Sequence, residues 1–206
     1  MSKSIIRYKH IVWYSFILID PDQKDSTGWT GSHWAVAMSR IDLLELYIDF
    51  GADINKAKTD GKTPLHIACE IGDAEMVLFL LQRGVDLESR AGVDGYTPLH
   101  LSTKGNFKEC IEVLALAGAD INASTLYGKQ TPLHVACVMG HYESVLSLIN
   151  VSHDPIRVCR GYEQLLIDAE DADGWSPYAM AQFKKHQRII DLLDSAGSRK
   201  RSTGLR

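Results

Sequence analysis

The sequence predicts an all-α solenoid of stacked helix-turn-helix units joined by hairpin loops. The string Thr-Pro-Leu-His occurs three times, beginning at Thr63, Thr97 and Thr131, so that the starts lie 34 residues apart. A period of this length is typical of repeats in which each unit is one pair of helices. A second string, Gly-Ala-Asp-Ile-Asn or a close variant, ends each unit in a fixed register. It is found at residues 51–55, 84–88 and 118–122.

The first helix of each unit is predicted to begin at the Thr-Pro pair. The Thr63 hydroxyl can cap the helix N-terminus, and Pro64 falls at the first helical position, where its missing N–H costs nothing. Gly72 and Gly140 suit the left-handed conformation that ends a helix. Asn106 stands in the same register, and Asn tolerates that conformation better than most residues.

The second helix of each unit carries apolar residues one turn apart, which form a stripe on one side. In the second unit these residues are Met76, Val77, Leu80 and Leu81. One pair of helices cannot bury such a stripe alone. The units must therefore stack on one another, and several are needed for stability.

Degenerate copies of the first string flank the three clear ones, at residues 28–35 and 173–179. The pattern resembles the ankyrin repeat over residues 28–197, with about five repeats. The resemblance implies a concave surface formed by the hairpin tips and the inner faces of the first helices. It also implies a protein that binds other proteins.

Residues 1–27 are interpreted as an N-terminal capping half-repeat or arm, in which Ile11 and Tyr14 face the first full unit. Aligning Asp20-Pro21-Asp22 with Asp53-Ile54-Asn55 favours this interpretation. A disordered start and a secretory signal are the alternatives. The apolar run at residues 11–19 lacks a small-residue cleavage site and falls short of the roughly 20 residues that span a bilayer.

Two further segments depart from the period. About 11 extra residues lie near residues 150–165, where Pro155 and Gly161 argue against one continuous helix. A tolerated loop and a partner contact are both compatible with this insertion. The basic tail at residues 198–206 is either solvated or read as a nuclear signal or a kinase site.

Composition restricts the partners. The formal net charge is −4, whereas nucleic-acid binding usually needs a basic stripe. Four cysteines without short paired spacing favour buried thiols in a reducing compartment. We therefore expect a monomer that binds no nucleic acid and does not insert into a membrane. Its expected location is the cytoplasm, and also the nucleus if the basic tail acts as a nuclear signal.

No catalytic motif or cofactor motif is found in the sequence, so no catalytic, cofactor-binding or metal-binding residue is assigned. His66, His100 and His134 recur in successive units, but helices that pack about 8–10 Å apart cannot bring them to one metal ion. Each is expected to hydrogen-bond backbone near its own loop.

The resemblance places the partner-binding residues just before each Thr and near the end of each first helix. The assigned residues are Met38, Lys62, Glu70, Ile71, Tyr96, Lys104, Gln130, Val138 and Met139. Leu114 and residues 120–122 also resemble the pattern of ankyrin repeats that an asparaginyl hydroxylase modifies, which makes Asn122 a candidate for hydroxylation. The alternative is that Asn122 only stabilises its turn.

These observations predict a non-enzymatic scaffold or adaptor that binds a partner protein through the concave groove. One alternative is the ankyrin portion of a larger enzyme of the acyltransferase or kinase type. Another is an inhibitor that covers the surface of a partner enzyme.

Overall fold

The computed structural model describes residues 20–197, apart from the side chain of Arg157. These residues form eleven helices and, in place of strands, one isolated antiparallel bridge between Ala91 and Tyr96. The prediction of an all-α fold is confirmed. The capping assignment of Ile11 and Tyr14 and the tail at residues 198–206 lie outside the described residues.

The helices form five consecutive pairs, which we call units 1 to 5, and one short helix follows the fourth pair. The pairs are α1 Gly31–Ala37 and α2 Ile41–Asp49, α3 Pro64–Ile71 and α4 Ala74–Gln82, α5 Pro98–Lys104 and α6 Lys108–Ala117, α7 Pro132–Met139 and α8 Tyr142–Ser152, then α10 Pro177–Phe183 and α11 Gln187–Ser195. The short helix α9 is Pro155–Cys159. None of these helices is both long and apolar enough to cross a bilayer.

The first helices begin and end as their sequences predict. Thr63 has extended backbone with φ −87° and ψ 169°, and Pro64 opens the helix behind it. The helix ends at Gly72 in the left-handed conformation, with φ 79°. Asn106 takes the same conformation in unit 3 with φ 59°, as expected from its register.

The units stack through like elements. Each first helix packs on the first helix of the next unit, and α4, α6, α8 and α11 pack in the same order behind them. Their apolar stripes merge into one continuous core that contains Leu80, Leu114 and Leu148, all fully buried. Burying one such side chain stabilises the fold by about 1.5–3 kcal/mol. Because the buried residues form one cluster, all the units contribute to a single core.

A ladder of side chains ties each unit-ending loop to the next. In each case a side-chain oxygen accepts a hydrogen bond from a backbone N–H of the next unit-ending loop, which lies 31 or 32 residues further along the chain, or 44 where the insertion intervenes. The pairs are Asp22 with Asp53, Asn55 with Asp86, Glu88 with Asp120, and Asn122 with Leu166, all at 2.8–3.1 Å. The ladder thus extends upstream to residue 22, in the register that the sequence alignment gives.

The insertion contains the short helix α9. The Asp154 carboxylate caps it by accepting from the Ile156 N–H at 2.8 Å, and the chain then turns at Gly161 with φ 71°. Cys159 at the end of α9 is exposed, whereas Cys69, Cys110 and Cys137 are buried and free. The prediction of buried thiols is therefore wrong for Cys159, because this residue belongs to the insertion and has no place in the repeat core.

Candidate functional site

The candidate site is the groove between the hairpins that precede each Thr and the inner faces of the first helices. Neighbouring hairpins are joined by backbone hydrogen bonds at their tips. Gly92 donates to the Asp60 carbonyl at 2.7 Å, and Leu126 donates to the Asp94 carbonyl at 2.8 Å. Ala172 continues the series by donating to Gly128 at 2.9 Å. One wall of the groove is therefore a continuous, hydrogen-bonded set of hairpins.

The repeated histidine fixes each hairpin to the unit behind it. His66 Nδ1 accepts from the backbone N–H of Thr63 at 3.2 Å, so this nitrogen carries no proton. His66 Nε2 then carries the proton and donates to the Tyr96 carbonyl of the next unit at 3.1 Å. His33, His100 and His134 make the same pair of bonds, to the carbonyls of Lys62, Gln130 and Trp175 respectively.

We call this arrangement the histidine link. The prediction that these histidines bond their own loops is correct for Nδ1. It is wrong for Nε2, which reaches the hairpin of the next unit because stacking brings that carbonyl over the ring. The link fixes the backbone of the residues that line the groove, including Tyr96.

Burial determines the protonation state of the link. Desolvation lowers the pKa of His33, His66 and His134 below the usual value, and it lowers that of His100 to about 4. A neutral ring is required, since Nδ1 must accept a hydrogen bond. Among residues 20–197, no group of three or more His, Cys, Asp or Glu side chains could hold a metal ion.

The assigned residues of unit 2 form an ion pair across the groove. Lys62, on the hairpin, donates to both carboxylate oxygens of Glu70, on α3, at 2.7 and 2.8 Å. The pair joins the two walls of the groove and neutralises both charges. Ile71 lies next to it and is 43% exposed.

The assigned residues of unit 3 are Tyr96 and Lys104. The Lys104 ammonium lies 5.3 Å from the centre of the Tyr96 ring, and the ring in turn packs edge-on against His100. A cation over an aromatic face is attracted by the ring quadrupole, with about 0.5–1 kcal/mol at exposed sites. Both side chains are thereby held at the middle of the groove.

A row of exposed apolar side chains runs along the ends of the first helices. Met38 is 60% exposed and Met139 is 48% exposed, and both share the register of Ile71. We call these three residues, with Gly105 at the same position of unit 3, the groove row. Apolar side chains that are exposed together in one patch mark protein-interaction sites more often than residues scattered singly do.

The centre of the groove row is a gap. Gly105 has no side chain, and a Cβ atom placed there would meet the Phe107 ring at 2.1 Å. A Cβ atom at Gly72 would meet the same ring at 2.4 Å. The half-buried Phe107 ring thus closes the floor of the gap between units 2 and 3.

Two other assigned residues, Gln130 and Val138, are less exposed than the groove row. Gln130 is half-buried, and its backbone is engaged at both ends, by Thr125 Oγ1 and by the histidine link of His100. The Val138 side chain is half-buried and packs on the core, while its carbonyl accepts from His186 at 3.4 Å. Both residues offer less side chain to a partner than the groove row does.

Large exposed apolar residues also occur at the hairpin tips, which the sequence interpretation did not select. These residues are Val93, Leu126 and Tyr127, and Val93 is 80% exposed. The sequence did carry a signal for these residues, because they are apolar at turn positions that are usually occupied by Gly, Asn or Asp. Leu126 also lies against the Gly95 position of the neighbouring hairpin, so it helps to hold the tips together.

Asn122 fastens the returning end of the insertion. Its side-chain oxygen accepts from the Leu166 N–H, and its side-chain nitrogen donates to the Gln164 carbonyl, both at 2.8 Å. Its own N–H is held by Asp120. A structural role for Asn122 is therefore explicit, and hydroxylation there stays a prediction.

The chain matches the family model described as ankyrin repeats (3 copies) over residues 6–91 and again over residues 88–160. This chain belongs to the ankyrin-repeat family. Membership of the family implies a role in binding other proteins. The family supplies the helix pairs and hairpins described above, and it leaves the partner open.

Several curated proteins are similar to parts of this ankyrin-repeat chain. It is 40% identical over 68 residues to the human palmitoyltransferase ZDHHC13, which covers 32% of this chain and 11% of that protein. It is 33% identical over 63 residues to the mouse protein phosphatase 1 regulatory subunit 27, covering 31% and 41% respectively. The potassium channel AKT1 of Oryza sativa subsp. indica is 38% identical over 69 residues, covering 32% and 7%. The match therefore spans less than half of each relative.

Proposed function

We propose that this ankyrin-repeat chain is a non-enzymatic scaffold or adaptor that holds a partner protein in the groove. The groove row carries this proposal, because Met38, Ile71 and Met139 expose apolar surface in one register on a rigid wall. The histidine links and the tip-to-tip bonds already order the groove. A preformed surface loses little entropy on binding, so a few anchors can supply the affinity.

The test is quantitative affinity capture with the tagged full chain and with the double variant Tyr96→Ala/Met139→Ala. Aromatic and Met anchors at the centre of an interface commonly contribute about 1–2 kcal/mol or more each. Recovery of the partner should therefore fall at least about tenfold. Thermal melting of the purified variant checks that the fold persists.

The matched control is Leu78→Ala, which removes an exposed apolar side chain from α4, away from the groove. This control should leave recovery unchanged. Equal recovery by the groove variant and the wild type would contradict the proposal, and so would an equal loss in the control.

A second candidate function is the regulation of an enzyme, either in the same polypeptide or in a bound partner. The similarity to a palmitoyltransferase and to a phosphatase regulatory subunit supports it. Two measurements separate the candidates: transcript mapping shows whether the reading frame continues beyond Arg206, and mass spectrometry of the captured partner shows whether it is an enzyme. We also propose a cytoplasmic monomer, which a fluorescent fusion and light scattering of the purified chain would test.

A further inference from the structure

The groove of units 2 to 4 contains, at Lys104, a positive charge that no carboxylate of residues 20–197 pairs with. The hairpin position before the Thr and the position near the end of the first helix contact each other in units 2 and 3. In unit 2 they hold Lys62 and Glu70, which form an ion pair. In unit 3 the same two positions hold Tyr96 and Lys104, and in unit 4 they hold the uncharged Gln130 and Val138.

In unit 3, Lys104 therefore packs over the Tyr96 ring, whereas Glu70 at the same position of unit 2 forms an ion pair with Lys62. Within residues 20–197, no carboxylate lies within 4 Å of the Lys104 ammonium. Another cation of this unit, Lys108, has Glu112 at 3.8 Å. The contact with Tyr96 holds the Lys104 ammonium at the surface without compensating its charge.

Apolar side chains flank this cation on both sides along the groove. Next to Lys104 the groove row has no side chain at Gly105, where the Phe107 ring occupies the space, and it carries Ile71 in the unit on one side and Met139 in the unit on the other. Packed helices lie about 8–10 Å apart. A segment in polyproline II conformation advances about 3.1 Å per residue with three residues per turn, so side chains three residues apart lie on the same face. A segment lying along the groove row therefore passes from one unit to the next in about three residues.

We infer that the groove receives a segment of the partner protein in polyproline II conformation, in which one anionic side chain is flanked, three residues away on each side, by apolar side chains. The anion lies against Lys104, and the apolar side chains lie against Ile71 and Met139. The inference rests on the proposed function of the groove and adds the chemistry of the partner. Complementary charge of this kind contributes to specificity more than to raw affinity.

The test uses peptide display, with random 12-residue peptides selected on the purified full chain and on its Lys104→Glu variant. Wild-type selection should enrich Asp or Glu between apolar residues at the ±3 positions. Selection on Lys104→Glu should enrich Lys or Arg at the central position instead. The matched control, Lys108→Glu, makes the same charge change on α6 and should select the same peptides as the wild type.

Selected peptides are then synthesised with Glu, phosphoserine, Gln or Lys at the central position. The Glu peptide should lose about tenfold in affinity on Lys104→Glu, since an attraction between exposed charges becomes a repulsion. The Lys peptide should regain that affinity on the same variant. Whichever of Glu and phosphoserine binds more tightly identifies the source of the anion, and tight binding of either supports the inference.

Three results would overturn the inference: selection without an acidic central residue, the same change of preference in the Lys108→Glu control, or no enriched peptide at all. If the selected peptides lose affinity for the Met139→Ala variant but show no preference for an acidic residue, the anionic assignment is wrong, although the groove is still the binding site. Failure of the groove itself is decided separately, by the capture experiment with Tyr96→Ala/Met139→Ala.

Discussion

The histidine link of His100 makes the stability of the stack depend on pH in a calculable way. The native pKa of His100 is about 4, whereas an unfolded histidine titrates near 6.5. Between these values the unfolded chain binds more protons than the native chain, so stability falls as the pH falls. The stabilisation that the neutral His100 ring contributes is complete above about pH 6.5 and is lost progressively towards pH 4.

The magnitude follows from the two pKa values. Lowering the pH from 7.5 to 5.0 should cost about 2 kcal/mol through His100 alone. His33, His66 and His134 shift in the same direction and add to the total. Replacement by glutamine removes the titration and keeps a donor for the Gln130 carbonyl.

The assay is urea unfolding of the wild type and of His100→Gln at pH 7.5, 6.5, 5.5 and 5.0. The variant should be less stable than the wild type at pH 7.5, and the difference should shrink by about 2 kcal/mol at pH 5.0. Carboxylates titrate alike in both proteins and cancel in the comparison. Leu78→Ala, which removes an exposed side chain that does not titrate, is the control and should keep the wild-type slope. An unchanged pH dependence in His100→Gln would refute the assignment of a neutral, linking imidazole.

Three other changes test the packing. Leu114→Ala should destabilise the chain by about 2–5 kcal/mol in urea unfolding, because the side chain is fully buried, whereas Leu78→Ala at an exposed site should cost far less. Gly72→Ala should cost more than Gly84→Ala, since both have positive φ but only the former drives a Cβ atom into the Phe107 ring; equal melting temperatures would contradict this. Asn122→Ala should speed hydrogen exchange of the Leu166 amide and proteolysis of the insertion, and unchanged exchange would show that the loop is held by other contacts.

The repeat period and the ends of the first helices could be predicted from sequence because local chemistry determines them. Thr63 and Pro64 start a helix by their own geometry, and Gly72 and Asn106 end one by tolerating positive φ. The fixed register then places every later unit. The fold can therefore be predicted from the periodicity of the sequence, with few assumptions about long-range contacts.

The contacts between units could not be predicted in the same way. The carbonyl that His66 reaches lies 30 residues away, and only stacking brings it over the ring. The pairing of Lys104 with Tyr96 and the half-burial of Val138 likewise depend on the spacing between units. Cys159 was misassigned because its segment breaks the period, so register gave no information about its burial.

The most direct test of the central claim is amide hydrogen exchange of the full chain with and without its captured partner. The groove account predicts protection at residues 94–105 and 128–139, which include Tyr96, Lys104 and Met139, and little change in α4, α6 and α8. Protection confined to those second helices, with the hairpins and first helices unchanged, would contradict it.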